Sequence, residues 1–145
     1  MEFAYFDTSA LIMRYVEELG RRDVLTLLRK NHCVISAVLP VEVRSALRRR
    51  TADMTLDARR TPSILKRFAG DRAYWTVIEV SSEVLAAAEA LSGAHPLRAL
   101  DSIHVASAKL FRDRTGSGSF TFVSADSQQT KVAEAIGLKT RYVGV

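Results

Sequence analysis

Short apolar runs alternate along the chain with longer segments in which apolar residues recur every three or four positions. The short runs, rich in aromatic and β-branched residues, predict strands over residues 2–7, 33–36, 75–80, 120–123 and 141–145. The longer segments predict helices over residues 9–16, 21–30, 37–50, 81–93, 97–112 and 126–136. Residues 51–72 are expected to be helical on either side of a break at Pro62, and residues 115–119 to form a loop.

This alternation predicts an α/β fold of three layers, in which a mostly parallel central sheet is flanked by helices. A chain of 145 residues most simply forms one domain, here spanning residues 1–145. In sheets of this kind, ligands bind beyond the carboxyl ends of the strands. That edge is therefore where functional residues are expected.

The composition narrows the class of protein. The single cysteine, Cys33, excludes an internal disulfide and a cysteine-based zinc site, and its apolar neighbours predict a buried, inert thiol. No apolar run approaches the ~20 residues needed to span a bilayer. The N-terminal segment reaches Asp7 without the apolar core of a signal peptide. We therefore predict a cytoplasmic protein with no membrane contact.

Four acidic residues follow predicted strands or begin predicted helices. Asp7 ends the first strand and Asp126 lies just beyond the fourth. Glu42 lies in the first turn of the helix after the second strand, and Asp101 in the first turn of the helix at 97–112. Any one of these acidic residues could lie at its position simply because the N-terminus of a helix favours a negative charge. Four at one predicted edge of a sheet favour a common site.

Carboxylates brought together repel each other unless a proton or a cation lies between them. The ligands offered are hard oxygens, which suit Mg²⁺ or Mn²⁺ and disfavour zinc. Such an ion can activate a water molecule and neutralise a phosphodiester in its transition state. The pattern therefore predicts a metal-dependent phosphodiesterase site.

Positive charge is concentrated in one part of the chain. The net charge is +5, yet residues 44–72 hold nine basic and three acidic residues, and the remainder holds twelve basic and thirteen acidic residues. A local excess of this kind is expected where a protein meets a phosphate-rich partner. The alternative left open by the sequence is a solvated helical face.

Other acidic or nucleotide-binding sites fit less well. A haloacid-dehalogenase-type phosphatase needs a second aspartate two residues after the first, where this chain has Ser9. A response-regulator receiver needs a neighbouring acidic pair near the first strand and a late lysine on a strand, and Tyr5-Phe6-Asp7 supplies no such pair. The glycine-rich loops of nucleotide-binding folds and the nucleophile elbow of serine hydrolases are missing from the sequence.

Four motifs in order resemble one known family. They are FDTSAL at 6–11, PVEVRSAL at 40–47, LRALDSIHVASA at 97–108 and FVSADSQQTKVA at 122–133. Together, at this spacing, they resemble the PIN-domain nucleases, and among these the VapC toxins of VapBC toxin–antitoxin pairs. The resemblance covers essentially the whole chain.

The resemblance implies a site and a function. Asp7, Glu42, Asp101 and Asp126 would form the acidic metal site, and the hydroxyl of Ser9, with that of Thr8 as a further candidate, would orient a carboxylate or a water molecule. It also implies Mg²⁺- or Mn²⁺-dependent cleavage of RNA, a homodimer, and inhibition by a small VapB-like antitoxin. The alternatives are a PIN nuclease of RNA processing without a toxin role, and a catalytically inactive PIN-like module that binds RNA or protein.

Two residues of the third motif need separate interpretation. A positive charge at Arg98 opposes the helix dipole, so a compensating partner is expected. We expect an ion pair with Asp101, three residues further on, with substrate phosphate or an antitoxin carboxylate as alternatives. His104 lacks ligand-like spacing and is expected to be a packed or surface histidine rather than a base.

Overall fold

The structure is a computed structural model that describes residues 1–116 and 118–145. Its strands are β1 Glu2–Phe6, β2 Asn31–Ser36, β3 Thr76–Ile78, β4 Thr121–Ser124 and β5 Lys139–Tyr142. Its α-helices are α1 Thr8–Leu11, α2 Arg21–Lys30, α3 Leu39–Ala52, α4 Thr61–Arg72, α5 Ser82–Ala94, α6 Ala99–Thr115 and α7 Ser127–Ala135. The predicted loop at 115–119 includes Ser117, which lies outside the described residues.

The five strands form one sheet in the order β3-β2-β1-β4-β5, and every neighbouring pair is parallel. The first strand is therefore central, with Tyr5 aligned to Val34 of β2 and to Phe122 of β4. The predicted α/β fold is confirmed, and the sheet is entirely parallel where the sequence predicted a mostly parallel one.

Helices cover both faces of the sheet, because alternate residues of a strand point to opposite faces. Phe6 packs in a buried cluster with Leu47 of α3 and Phe68 of α4. Its neighbour Tyr5 packs in a second cluster with Val105 of α6 and Ala133 of α7. The central strand β1 is thus enclosed between two buried cores, and its carboxyl end lies at one edge of the sheet. None of the helices in the described ranges is both long and apolar enough to cross a membrane.

The local predictions were wrong at some boundaries. The predicted helix at 9–16 is α1 followed by a 3₁₀ turn at Ile12–Arg14, in a stretch whose apolar side chains are buried in the first cluster. The chain between α3 and α4 is mostly turn, because the carboxylates of Asp53 and Asp57 accept hydrogen bonds from the backbone two residues further on. The last strand ends at Tyr142 instead of continuing to residue 145.

Candidate active site

The four predicted carboxylates lie around one cavity at the carboxyl edge of the sheet. Asp7 directly follows β1 and caps α1, while Asp126 follows β4 and caps α7. Glu42 lies in the first turn of α3 and Asp101 in the first turn of α6. All four line a cavity of about 820 Å³, together with Ser9. The structure thus brings together every residue of the predicted site, and their roles stay predictions.

Asp7 is the most tightly held of the four. Its Oδ2 accepts hydrogen bonds from the backbone N–H of Ser9 at 3.0 Å and from the Ser9 hydroxyl at 2.5 Å. The Ser9 oxygen also accepts the backbone N–H of Ala125 at 3.0 Å. Ser9 therefore connects Asp7 to the loop after β4, and the orienting role that the resemblance implied for Ser9 stays a prediction.

Glu42 meets a histidine whose part in the site the sequence did not reveal. His104 is 0% exposed, and its Nε2 lies 2.6 Å from Glu42 Oε1. The hydroxyl of Thr8 donates to the same carboxylate oxygen at 2.8 Å. The other ring nitrogen of His104 lies 2.7 Å from the hydroxyl oxygen of Tyr5. Of the two expected placements, packed or at the surface, the structure shows the packed one, and the contacts of His104 belong to the site.

The charges around His104 favour an ion pair with Glu42. Burial lowers the pKa of His104, but the negative charge of Asp7 and the hydrogen bond to Glu42 outweigh it, so the pKa is raised above its ordinary value. Burial raises the pKa of Glu42, but His104 and Thr8 together bring that pKa below its ordinary value. The sequence did hold one signal: His104 lies three residues after Asp101, hence on the same side of α6.

Asp101 pairs with Arg98, as expected. The guanidinium Nε donates to Asp101 Oδ2 at 3.0 Å, and Nη2 lies 3.8 Å from Asp126 Oδ2. Burial raises the pKa of Asp101, and the charges of Asp7 and Asp126 add to this against the opposing effect of Arg98. Arg98 is the residue before α6 and not part of its first turn. Its side chain is 83% exposed, so the pair lies at the mouth of the cavity.

Gln129 is a second residue that sequence reasoning missed. It is completely buried, and its Nε2 lies 3.3 Å from both Asp7 Oδ1 and the backbone oxygen of Asp101. Its Oε1 accepts the hydroxyl of Ser124 at 2.7 Å. Because both neighbours of Nε2 are acceptors, the amide can be oriented in only one way. Gln129, at the start of α7, therefore links the residue that follows β1 to the backbone of α6.

A comparison with known protein families identifies the family of this chain. The family model for the PIN domain matches residues 4–135. The chain belongs to the PIN-domain family. PIN domains are nucleases, and the matched segment contains all four carboxylates.

Solved structures with the same fold are distant in sequence. A toxin–antitoxin complex from Klebsiella pneumoniae matches with 18% identity and a TM-score of 0.63, over 87% of this chain and 88% of that chain. FitAcB from Neisseria gonorrhoeae matches with 14% identity and a TM-score of 0.70, over 97% of this chain and 98% of that chain. At these identities the likeness shows the PIN fold. A comparison with curated proteins gave no match.

Arginines flank the acidic cavity of this PIN domain. Arg49, Arg50 and Arg98 line it. Arg50 is paired with Glu18, whereas Arg49 is exposed and donates to the Ser45 hydroxyl at 2.8 Å. Most basic side chains of residues 44–72 are exposed, which fits both a phosphate-binding surface and the solvated face that the sequence left open.

The donor chemistry of the site fits a hard divalent cation. Within residues 1–116 and 118–145, no group of three or more His, Cys, Asp or Glu side chains is gathered closely enough to hold a metal ion as it stands. Mg²⁺, however, usually takes only one or two protein carboxylates and keeps several waters. Four carboxylates around an open cavity meet that requirement, while imidazole and thiolate clusters that would favour zinc are not found among the described residues.

Proposed function

We propose that this PIN domain is a metal-dependent endoribonuclease that acts as the toxin of a type II toxin–antitoxin pair. The observation that carries the proposal is the set of four carboxylates around one open cavity whose mouth holds exposed arginines. Such a surface combines ligands for Mg²⁺ or Mn²⁺ with positive charge for a nucleic-acid backbone. The reaction is hydrolysis, in which water adds to phosphorus and one P–O ester bond breaks.

Each residue has a distinct part in this proposal. Asp7, Asp101 and Asp126 would bind the cation directly, and Glu42 directly or through water. Bound Mg²⁺ or Mn²⁺ would lower the pKa of a water molecule and polarise the phosphodiester. Ser9 holds the Asp7 carboxylate in place through its two hydrogen bonds.

Arg98 would be the phosphate contact closest to the carboxylates. Its guanidinium is largely exposed while one edge is held by Asp101, so the remaining N–H groups are available to substrate oxygens. Arg49 is the second exposed arginine of the cavity. Two positively charged side chains in the lining of an acidic cavity would let a polyanion approach carboxylates that otherwise repel it.

The toxin role rests on the structural neighbours. One of them is a toxin–antitoxin complex, which supports a small VapB-like antitoxin as the partner of this chain. By the same family relation we propose a homodimer acting in the cytoplasm. A PIN nuclease of RNA processing would have the same site but no antitoxin encoded beside it.

The test of catalysis is cleavage of defined RNAs by the purified protein with Mg²⁺ or Mn²⁺, and with a chelator. Asp7→Asn and Asp101→Asn should abolish cleavage, because each removes a carboxylate charge from the cavity. Asp113→Asn is the matched control, since Asp113 lies on the same helix as Asp101 but is exposed and pairs with Lys109. Metal-independent cleavage, or full activity in Asp101→Asn, would refute the proposal.

The toxin role is tested by expression in a bacterial host. Growth arrest that requires Asp7, and that co-expression of the product of a short neighbouring reading frame relieves, would support it. Cleavage in vitro without growth arrest would instead favour a role in RNA processing. A protein that binds no Mn²⁺ in calorimetry would be the catalytically inactive module.

A further inference from the structure

Among the residues that the structure describes, hydrogen bonds to the Glu42 carboxylate reach only one of its two oxygens. Thr8 and His104 both bind Oε1, at 2.8 and 2.6 Å. No hydrogen bond from the described residues reaches Oε2, and Glu42 lines the cavity. The contacts therefore leave one oxygen of this carboxylate for whatever the cavity binds.

The histidine that holds Glu42 is itself fixed by the central strand. Because a carboxylate only accepts hydrogen bonds, Nε2 of His104 must carry the hydrogen. Nδ1 lies 2.7 Å from the Tyr5 hydroxyl, which can donate to a neutral ring or accept from a charged one. Tyr5 and His104 are both completely buried, so neither can turn towards water. The chain Tyr5–His104–Glu42 thus runs from β1 through α6 to α3.

His104 also lies between two carboxylates. Its Nε2 is 3.5 Å from Asp7 Oδ1, in addition to its short contact with Glu42. Two carboxylates that approach one cavity repel each other, and Glu42 has enough rotatable bonds to swing away. An N–H directed at Glu42 from a buried, immobile ring opposes that movement.

We propose that His104 is a positioning residue, which fixes Glu42 through Oε1 so that Oε2 is presented to the divalent cation. The inference rests on the proposed function in one respect, namely that a cation binds this cavity. His104 does not touch the cation or the RNA in this proposal. Thr8 has the same effect on the same oxygen from the start of α1.

Two amide substitutions distinguish the contribution of the ring nitrogen Nε2 from that of Nδ1. In His104→Gln the side-chain amide can reach the place of Nε2 and still donate to Glu42. In His104→Asn the shorter amide reaches only the place of Nδ1, beside Tyr5. Loss of a hydrogen bond that orients a metal ligand typically weakens metal binding about 10- to 100-fold. We therefore expect Mn²⁺ affinity, measured by calorimetry, to fall by that factor in His104→Asn and by less than about tenfold in His104→Gln.

A double-mutant cycle shows whether His104 acts through Glu42. In a Glu42→Ala background, His104→Asn should cause no further loss of Mn²⁺ affinity, because the side chain it positions is gone. Equal losses in both backgrounds would mean a general structural effect and would overturn the proposal. Wild-type affinity in His104→Asn would also overturn it.

Two further variants keep the test decisive. If the melting temperature shows that His104→Asn is unfolded, Thr8→Val takes its place, since it removes the other donor to Oε1 without changing the side-chain shape. Wild-type Mn²⁺ affinity in Thr8→Val would then overturn the proposal, and a loss that disappears without Glu42 would support it. Asp7→Asn tests the proposed function separately: equal Mn²⁺ binding by wild type and Asp7→Asn would refute the cation site itself.

Discussion

Replacing Gln129 with leucine should destabilise the protein strongly, although the two side chains are similar in size. Gln129 is completely buried and makes three side-chain hydrogen bonds, with Ser124, Asp7 and the backbone oxygen of Asp101. Leucine fills much of the same space but offers neither a donor nor an acceptor. The expected loss therefore comes from the three lost hydrogen bonds and not from a cavity.

The magnitude follows from those three contacts. Ser124 is also completely buried, and without Gln129 its hydroxyl loses its 2.7 Å acceptor but still accepts the backbone N–H of Asp126 at 3.0 Å. The cost therefore lies towards the lower end of the about 1–3 kcal/mol typical of an unsatisfied buried group. The two bonds from Nε2 are long, at 3.3 Å each, so each contributes towards the lower end of the about 0.5–1.5 kcal/mol typical of a hydrogen bond. We expect a total loss of about 2–3 kcal/mol, a large share of the about 5–15 kcal/mol that stabilises a typical domain.

Equilibrium unfolding in urea at neutral pH measures this loss. The matched control is Gln128→Leu, because Gln128 is the preceding residue of the same helix and is exposed. Its free energy of unfolding should stay within about 0.5 kcal/mol of the wild-type value. If Gln129→Leu also stays within that limit, or if both variants lose equally, the contacts of Gln129 do not stabilise the protein as argued.

Three further predictions concern single groups. The stability difference between wild type and Glu42→Gln should be greatest between pH 4.5 and 6.5, the ordinary pKa values of Glu42 and His104. The difference should fall at lower pH, where Glu42 takes up a proton, because the pKa of Glu42 is lowered in the folded protein. It should also fall at higher pH, where His104 loses its proton, because the pKa of His104 is raised in the folded protein. A difference measured by urea unfolding that does not change with pH would contradict this. Burial raises the pKa of the Cys33 thiol, so native protein should resist alkylation at pH 8 and react only in urea; rapid native labelling would show that the thiol is accessible. Arg98→Gln removes a cation from beside Asp101, so Mn²⁺ affinity by calorimetry should rise about two- to fivefold at low salt; weaker binding would show that Arg98 does not compete with the metal.

The fold was predictable because it depends on patterns local to each segment. Apolar runs of strand length and three-and-four spacing identify elements without knowledge of their partners, and their alternation implies a parallel sheet. The errors arose where side chains form hydrogen bonds with the backbone that compete with those of a helix, or where tertiary packing determines the local structure. Asp53 and Asp57 form local hydrogen bonds that end the helical region before Pro62. That a single domain spans residues 1–145 stays a prediction.

The acidic residues of the site were predictable for a similar reason. Each follows a strand or begins a helix, and the carboxyl ends of parallel strands share an edge, so position along the chain implied position in space. Asp7 and Asp126 are the clearest examples, because both follow strands directly paired in the sheet. The Arg98–Asp101 pair was predictable too, since its partners are three residues apart.

His104 and Gln129 could not be assigned in this way, because their partners are distant in sequence. The pattern Asp126-x-x-Gln129 is that of a helix capping box, in which the glutamine turns back to the backbone of its own helix start. In the structure Asp126 does cap that helix, but the Gln129 amide extends instead to Asp7 and Asp101, 122 and 28 residues away. The helical spacing of His104 likewise identifies the side of α6 on which it lies. It does not identify the partner of His104, Glu42, which is 62 residues away in the sequence. Local spacing therefore identifies side chains that reach the cavity, whereas the side chains that hold them in place are determined by which helices meet beneath it.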